Sequence, residues 1–457
     1  MSSANELTAL RNFYSSGATK SYSFRKMQLQ LLKNTIQKYE QEIYAALYAD
    51  LHKSPEECWF TENGFVISEI NYALKKLSGW MTRTKVKTNL LNFPSSSYIY
   101  PEPLGVVLII SPWNYPFQLL LTPLVGAIAA GNCIVLKASE FASATGKIIK
   151  KIIEENFKQE YILFVEGDGA EVVPAMINNF VFDYIFYTGS TTVGKIIYQL
   201  AAKDLVPVTL ELGGKSPCVV EQDANIKVAA KRIGLAKFSN AGQMCVAPDY
   251  ILVHASIKDE FVTELKKVLE NYFGKETADS NYYGRIINEK QFNRLIGYLP
   301  SAEVLYGGKH VRENLFIEPT LVNVSDTENK LMEEEIFGPI LPLVSFNNQH
   351  EAISIIEKNK NPLAFYVFTS SALKEKEWLS AVAFGGGCRN NASFHLTNHY
   401  LPFGGRGFSG TGGYHGKFSF DTFSHQKAWM KTPTWFDPSL KYPPYKGKMG
   451  MLKKLMN

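Results

Sequence analysis

The sequence predicts an α/β protein: a doubly wound parallel sheet, a second α/β unit after it, and a small β arm. Three observations lead there. Short apolar runs at 105–110, 133–136, 161–165, 184–187 and 208–210 alternate with segments long enough for helices, as strands buried on both faces do. A second alternating stretch opens with runs at 217–221 and 250–254 and continues to residue 390. Polar, β-leaning residues at 81–103 and an irregular, aromatic-rich segment after Asn391 stand outside both alternations; together they could form an arm that packs on a partner subunit.

Taken in order, the first eighty residues read as helices. Leu29, Leu32, Ile36, Tyr39, Ile43 and Leu47 recur three and four apart, which places them on one face for ordinary core packing. The stretch 104–136 is the most membrane-like, but Pro112-Trp113-Asn114, Pro116, Pro123 and Gly131-Asn132 interrupt it. No run of about 20 apolar residues survives, so strand, turn, helix, strand is the reading. The division that follows is a first unit of 1–80 and 104–210, a second of 211–390, and an arm with tail of 81–103 and 391–457. In doubly wound sheets ligands bind at the carboxyl ends of the strands.

Composition removes several functions. With 457 residues, 46% hydrophobic and 20% charged, the chain is neither disordered nor fibrous. The net charge is +5, and residues 438–457 alone carry Lys441, Lys446, Lys448, Lys453 and Lys454 without an acid. The body is therefore neutral and no nucleic-acid footprint is expected; the basic tail reads as a solvated terminus. Cys58, Cys133, Cys218, Cys245 and Cys388 are odd in number and lack a CxxC, so neither a disulfide framework nor a zinc site is expected, and a reducing cytoplasm fits. His395 and His399 have i,i+4 spacing, but no third ligand is evident and their surroundings are not helical, so no metal is expected.

The candidate chemistry lies at strand ends. Cys245, in Gly242-Gln243-Met244-Cys245-Val246-Ala247-Pro248, follows a helical segment and precedes a strand, where a thiol can attack an electrophile; on spacing alone a buried core cysteine is the other reading. Glu211 ends the 208–210 run before Gly213-Gly214, as a strand-end general base or as a capping carboxylate. Asn114, between Pro112 and Pro116, could donate its amide to an oxyanion or simply form a turn. The loop Tyr187-Thr188-Gly189-Ser190 opens a helix whose free amides suit phosphate, yet neither it nor Gly167-Asp168-Gly169 completes a dinucleotide fingerprint. Lys137 and Glu140 follow another strand end, as a ribose-holding pair or a surface ion pair.

Five motifs then fall in one register: Pro112-Trp113-Asn114, Leu210-Glu211-Leu212-Gly213-Gly214-Lys215, Gly242-Gln243-Met244-Cys245, Glu334-Glu335-Ile336-Phe337-Gly338-Pro339 and Pro402-Phe403-Gly404-Gly405. In order and spacing the chain resembles the aldehyde dehydrogenases over nearly its whole length. Its GQxCxAPDY sequence and the residues Tyr414-His415-Gly416-Lys417 resemble the class 3 branch. The resemblance implies a dinucleotide-binding first unit, a catalytic second unit and an oligomerisation arm. It implies that Cys245 is the nucleophile, that the Asn114 amide and the Cys245 N–H hold the oxyanion, and that Glu211 activates water. It also implies cofactor contacts from Trp113, Gly189 and Leu212, from Lys137, Glu140, Glu335 and Phe337 to the riboses, and from Ser190 to the pyrophosphate.

The function expected is oxidation of medium or long aliphatic, or aromatic, aldehydes to acids with NAD, NADP being possible, by a cytoplasmic homodimer. Two features depart from relatives: Met244 just before the nucleophile, and a tail without the long apolar extension of membrane-anchored fatty-aldehyde members. No integral membrane anchor is therefore expected. Two alternatives remain. Coenzyme-A-acylating relatives generally lack the glutamate base that Glu211 supplies here. A cysteine acyl-hydrolase or acyltransferase needs an imidazole beside Cys245, and the nearest in sequence, His254, falls within a strand.

Overall fold

The computed structural model describes residues 4–456 apart from Asp326. The N-terminal region is helical, with Tyr22–Lys38, Glu40–Leu51 and Gly64–Trp80 as its main elements. Ser21 caps the first of these by accepting the Phe24 N–H at 3.2 Å. The periodic face runs through two helices rather than one. The backbone leaves helical geometry at Tyr39 (φ −98°, ψ 15°), yet Leu29, Leu32, Ile36, Ile43 and Leu47 are all fully buried. Burial of one apolar stripe survives the break because each helix presents its own part of it to the same core.

The first sheet has the order Gly410–Thr411, Val208–Glu211, Tyr184–Thr188, Val106–Ile110, Cys133–Lys137, Ile162–Val165. The last five are parallel; Gly410–Thr411 runs against Val208–Glu211. The chain enters at Val106–Ile110 and steps outward twice. It then crosses to Tyr184–Thr188 on the other side of its starting strand. The reversal lies between Val106–Ile110 and Tyr184–Thr188, and the crevice at such a switch point is the usual ligand site of this topology. The loops that leave it are Pro112-Trp113-Asn114 and Gly189-Ser190. Helix Gln118–Ala130 packs with this sheet and is buried at every position, which accounts for its membrane-like composition. Among the described residues no helix is long and apolar enough to cross a membrane.

The second sheet has the order Glu303–Tyr306, Thr320–Asn323, Ile340–Phe346, Tyr250–His254, Pro217–Val220, Ala364–Phe368, Gly386–Arg389. All its pairs are parallel except the first. A third, antiparallel sheet joins Thr84–Val86, Ser96–Pro103 and Ser424–Lys431. Its two long strands pair from Ser424 opposite Pro103 to Lys431 opposite Ser96. Residues some 330 apart in sequence thus build one ribbon, and its far edge, along Ser424–Lys431, has no strand beside it among the described residues.

Candidate active site

Cys245 sits where two cavities meet. It lies on the turn between the 3₁₀ segment Ser239–Gly242 and strand Tyr250–His254. The turn is held open by unusual backbone: Asn240, Ala241 and Gly242 have φ of 51°, 50° and 73°, three left-handed residues in succession. Gly242 is required there for a second reason. A Cβ on it would lie 2.3 Å from the Gly338 carbonyl oxygen, so the motif that holds Cys245 and the 334–339 motif touch backbone to backbone. Phe337, next to that contact, is also left-handed at φ 48°, and its ring meets Trp113 edge-on at 5.4 Å.

The smaller cavity, about 240 Å³, opens from the sheet crevice. Every candidate site residue lines it except Lys137 and Glu140. Glu211 projects from the end of its strand with both carboxylate oxygens buried and unpartnered. Burial alone drives its pKa well above the usual carboxylate range. Burial also raises the Cys245 thiol pKa, and the Glu335 and Glu211 carboxylates add to it, while the backbone N–H groups of Cys245 and Val246 work the other way. Asn114 donates its amide nitrogen to the Gln243 carbonyl at 3.0 Å, which leaves that nitrogen one further hydrogen.

Glu335 lies directly over the Gly213 Cα, so close that a Cβ there would meet its carboxylate at 1.9 Å, and the Gly214 N–H bonds to it. Burial, then the nearby Asp249, push its pKa up to about 8. The paired glycines after Glu211 therefore make room for a second carboxylate. Ser190 caps helix Thr191–Ala202 by accepting the Val193 N–H at 3.4 Å, which leaves the amides at the helix start facing the crevice. Lys137 and Glu140 stand further out, joined at 3.1 Å. A nucleotide fits this arrangement: the crevice has backbone amides at one end and carboxylates for ribose hydroxyls.

The larger cavity, about 630 Å³, is walled mainly by apolar and aromatic side chains, including Phe65, Tyr115, Leu119, Phe403 and Tyr414. Residues 393–415 supply one side of it, and Met244 is reached by the Tyr115 hydroxyl at 3.5 Å. The imidazole in this wall is His415 rather than His254, which instead holds Ser256. His415 donates Nδ1–H to the Leu396 carbonyl at 2.8 Å, and burial lowers its pKa to about 4. Among the described residues no imidazole hydrogen-bonds Cys245, so the thiolate pair of a cysteine hydrolase is not formed. His395 stacks on Phe403, and His399 pairs with Glu69 at 2.7 Å.

A support network lies below both cavities, and the sequence carried no sign of it. The Asn114 backbone oxygen accepts from Lys53 Nζ at 3.1 Å and from Asn240 Nδ2 at 2.7 Å. Lys53, fully buried, is joined to the equally buried Glu62 at 2.5 Å, and Glu62 accepts the Gln118 N–H at 2.9 Å. Gln243 closes the network onto the Asn240 and Arg285 carbonyls. Charged residues in an exposed-looking pattern (Lys53, Glu62) give no local signal of burial.

A doubly wound sheet with its switch-point crevice lined in this way is the architecture of nucleotide-dependent oxidoreductases. The aldehyde dehydrogenase family matches residues 9–429. The 4,4'-diaponeurosporen-aldehyde dehydrogenase of Staphylococcus aureus is 47% identical over 96% of each chain. The dimeric, NADP-preferring aldehyde dehydrogenase of Canis lupus familiaris is 42% identical over 96% of this chain and 97% of its own. The substrate-bound structure of Staphylococcus aureus AldH superposes with a TM-score of 0.97 at 45% identity, covering 99% of both chains. The chain belongs to the aldehyde dehydrogenase family, within its class 3 branch, and is an NAD(P)-dependent oxidoreductase.

Proposed function

We propose that the protein oxidises medium or long aliphatic, or aromatic, aldehydes to carboxylic acids by a covalent route that ends in hydrolysis. The observation that carries this is the placing of Cys245 between an apolar cavity of about 630 Å³ and a crevice that holds Asn114 and Glu211. The apolar cavity takes the aldehyde chain. The Cys245 thiol gives up its proton to water, the thiolate sulfur adds to the carbonyl carbon, and the carbonyl π pair moves onto oxygen, where the Asn114 amide and the Cys245 N–H receive it. A nicotinamide dinucleotide, which Trp113, Lys137, Gly189, Ser190, Leu212, Glu335 and Phe337 would hold, would supply the hydride acceptor this oxidation needs, and Cys245 keeps the acyl group as a thioester once C=O has re-formed. Glu211 removes a proton from water, the hydroxide adds to the thioester carbon, and the C–S bond breaks to release the acid. The unpartnered, desolvated Glu211 carboxylate suits a base held ready for a water.

In the same reading, 1–80 with 104–210 binds the dinucleotide, 211–390 carries the chemistry and the remaining segments form an oligomerisation arm. Trp113, Gly189 and Leu212 contact the cofactor, Ser190 its pyrophosphate, and Lys137, Glu140, Glu335 and Phe337 its riboses. Glu140 repels a 2′-phosphate and favours NAD over NADP. The open edge of Ser424–Lys431, with Trp429 and Met430 exposed, favours a homodimer. Five free thiols favour the cytoplasm.

The test mixes purified protein with hexanal or benzaldehyde and NAD or NADP, and follows reduced cofactor. Turnover without coenzyme A, lost in Cys245→Ser, is the expected result. Glu211→Gln should give one burst of reduced cofactor per site and then stop at the thioester. Turnover only when coenzyme A is added would transfer the protein to the acylating class.

A further inference from the structure

The larger cavity carries charge of one sign, and this bears on which aldehydes the proposed reaction accepts; the inference rests on that reaction. Glu56 and Glu57 line the cavity, and among the described residues no lysine or arginine does. His415 adds no charge: its Nδ1–H is committed to the Leu396 carbonyl and its pKa is lowered to about 4. Glu57 is fixed in place. One of its carboxylate oxygens accepts the Asn240 N–H at 2.9 Å, at the start of the left-handed run that leads to Cys245.

The cation that acts on Glu57 is Lys53, and it is already engaged by Glu62 at 2.5 Å and by the Asn114 carbonyl at 3.1 Å. Two carboxylates thus share one ammonium. Glu62 is fully enclosed, whereas Glu57 belongs to the cavity wall. With Glu57 ionised, an entering anion would meet this excess negative charge between apolar walls, and among the described residues no lysine or arginine stands in the wall to offset it.

We propose that Glu57 selects substrates by charge: uncharged aldehydes are admitted, and aldehydes that also carry a carboxylate or phosphate are rejected. The acid formed in the reaction is itself an anion in the same cavity, so Glu57 also speeds its departure. Specificity here comes from a repulsive group rather than from an added contact.

The experiment compares kcat/KM for benzaldehyde and para-formylbenzoate, which share the ring and the reacting group, in the full chain and in Glu57→Gln. Burial raises the Glu57 pKa, so alkaline buffer is used to keep it ionised. Glutamine keeps the size and the oxygen that receives the Asn240 N–H. Taking the ratio in both proteins cancels the intrinsic reactivities of the aldehydes. The wild-type preference for benzaldehyde should be roughly ten-fold or more, and Glu57→Gln should remove most of it. A ratio unchanged by the substitution overturns the proposal.

A second measurement needs neither the variant nor turnover. Benzamide and benzoate are compared for protection of Cys245 against iodoacetamide, and the neutral amide should protect at roughly ten-fold lower concentration. Equal protection, or better protection by benzoate, overturns the charge filter. Absence of turnover with every aldehyde would strike the reaction proposed above, while the protection experiment, repeated on Glu57→Gln, would still decide on Glu57: the advantage of benzamide over benzoate should shrink in the variant, and an unchanged advantage overturns the assignment to Glu57.

Discussion

Removing Lys53 tests whether the buried network supports the site. Lys53→Met takes away an ammonium that lies fully buried against Glu62, at 2.5 Å, and against the Asn114 carbonyl, at 3.1 Å. Glu62 is then left buried with the Gln118 N–H but no cation. Breaking one side of a buried pair costs about 3–5 kcal/mol. The Asn114 carbonyl keeps its bond from Asn240 at 2.7 Å, so its own share of the loss is only about 1 kcal/mol. If Asn114 drifts by an ångström, turnover should fall by up to about 10²-fold. Lys53→Met/Glu62→Gln removes both charges and keeps an acceptor for Gln118, so it should regain most of the stability.

The pH dependence of the single variant has a definite sign. The Glu62 pKa is already raised by burial, with Lys53 as the main opposing influence, and loss of Lys53 raises it further. A folded pKa above the unfolded value means that the folded state keeps a proton the unfolded state releases. Stability is then fully present below the ordinary carboxylate pKa and is lost as pH rises through the raised one. The deficit of Lys53→Met should therefore be smallest in acid and grow toward alkaline pH. Thermal unfolding midpoints of the three proteins across pH, with kcat alongside, provide the assay. A single variant as stable as wild type, or a double variant no better than the single, would refute the reasoning.

Other consequences can be checked more quickly. Because burial raises both the Glu211 and the Cys245 pKa, and each acts in its unprotonated form, kcat at saturating substrates should climb from acid to alkaline pH; a flat or falling profile contradicts the assigned roles. Gly242→Ala forces a side chain at φ 73° into the Gly338 carbonyl 2.3 Å away, so soluble protein should lose at least about 10²-fold in turnover, and full activity would show that the turn tolerates rearrangement. Glu140→Ala, which removes the carboxylate paired with Lys137, should improve NADP binding relative to NAD, measured by titration; an unchanged ratio counts against the assignment of Glu140 to the adenosine ribose.

The strands were readable because their signal is local. The apolar runs at 105–110, 133–136 and 184–187 return as Val106–Ile110, Cys133–Lys137 and Tyr184–Thr188, with ends moved by one residue. Periodicity said less about continuity: spacing of three and four persists through Tyr39, where the backbone leaves the helix. The motifs were readable as residue types, and those around Cys245 do line one crevice. Lys137 and Glu140 stand outside it because strand Cys133–Lys137, which Lys137 ends and Glu140 follows, lies on the far side of Val106–Ile110.

By itself the sequence determined the alternation of strands and helices, the candidate nucleophile, base and amide, and the family, since each depends on neighbours in the chain or on motif spacing. Only the tertiary structure decided which side chains reinforce them. Lys53 meets Asn114 across 61 residues, Asn240 meets Asn114 across 126, and Asn240 meets Glu57 across 183. It also decided that, among the described residues, Glu211 has no hydrogen-bond partner and the larger cavity is lined by carboxylates without a lysine or arginine. Desolvation and charge balance are sums over everything packed around a group, and no stretch of sequence contains that sum.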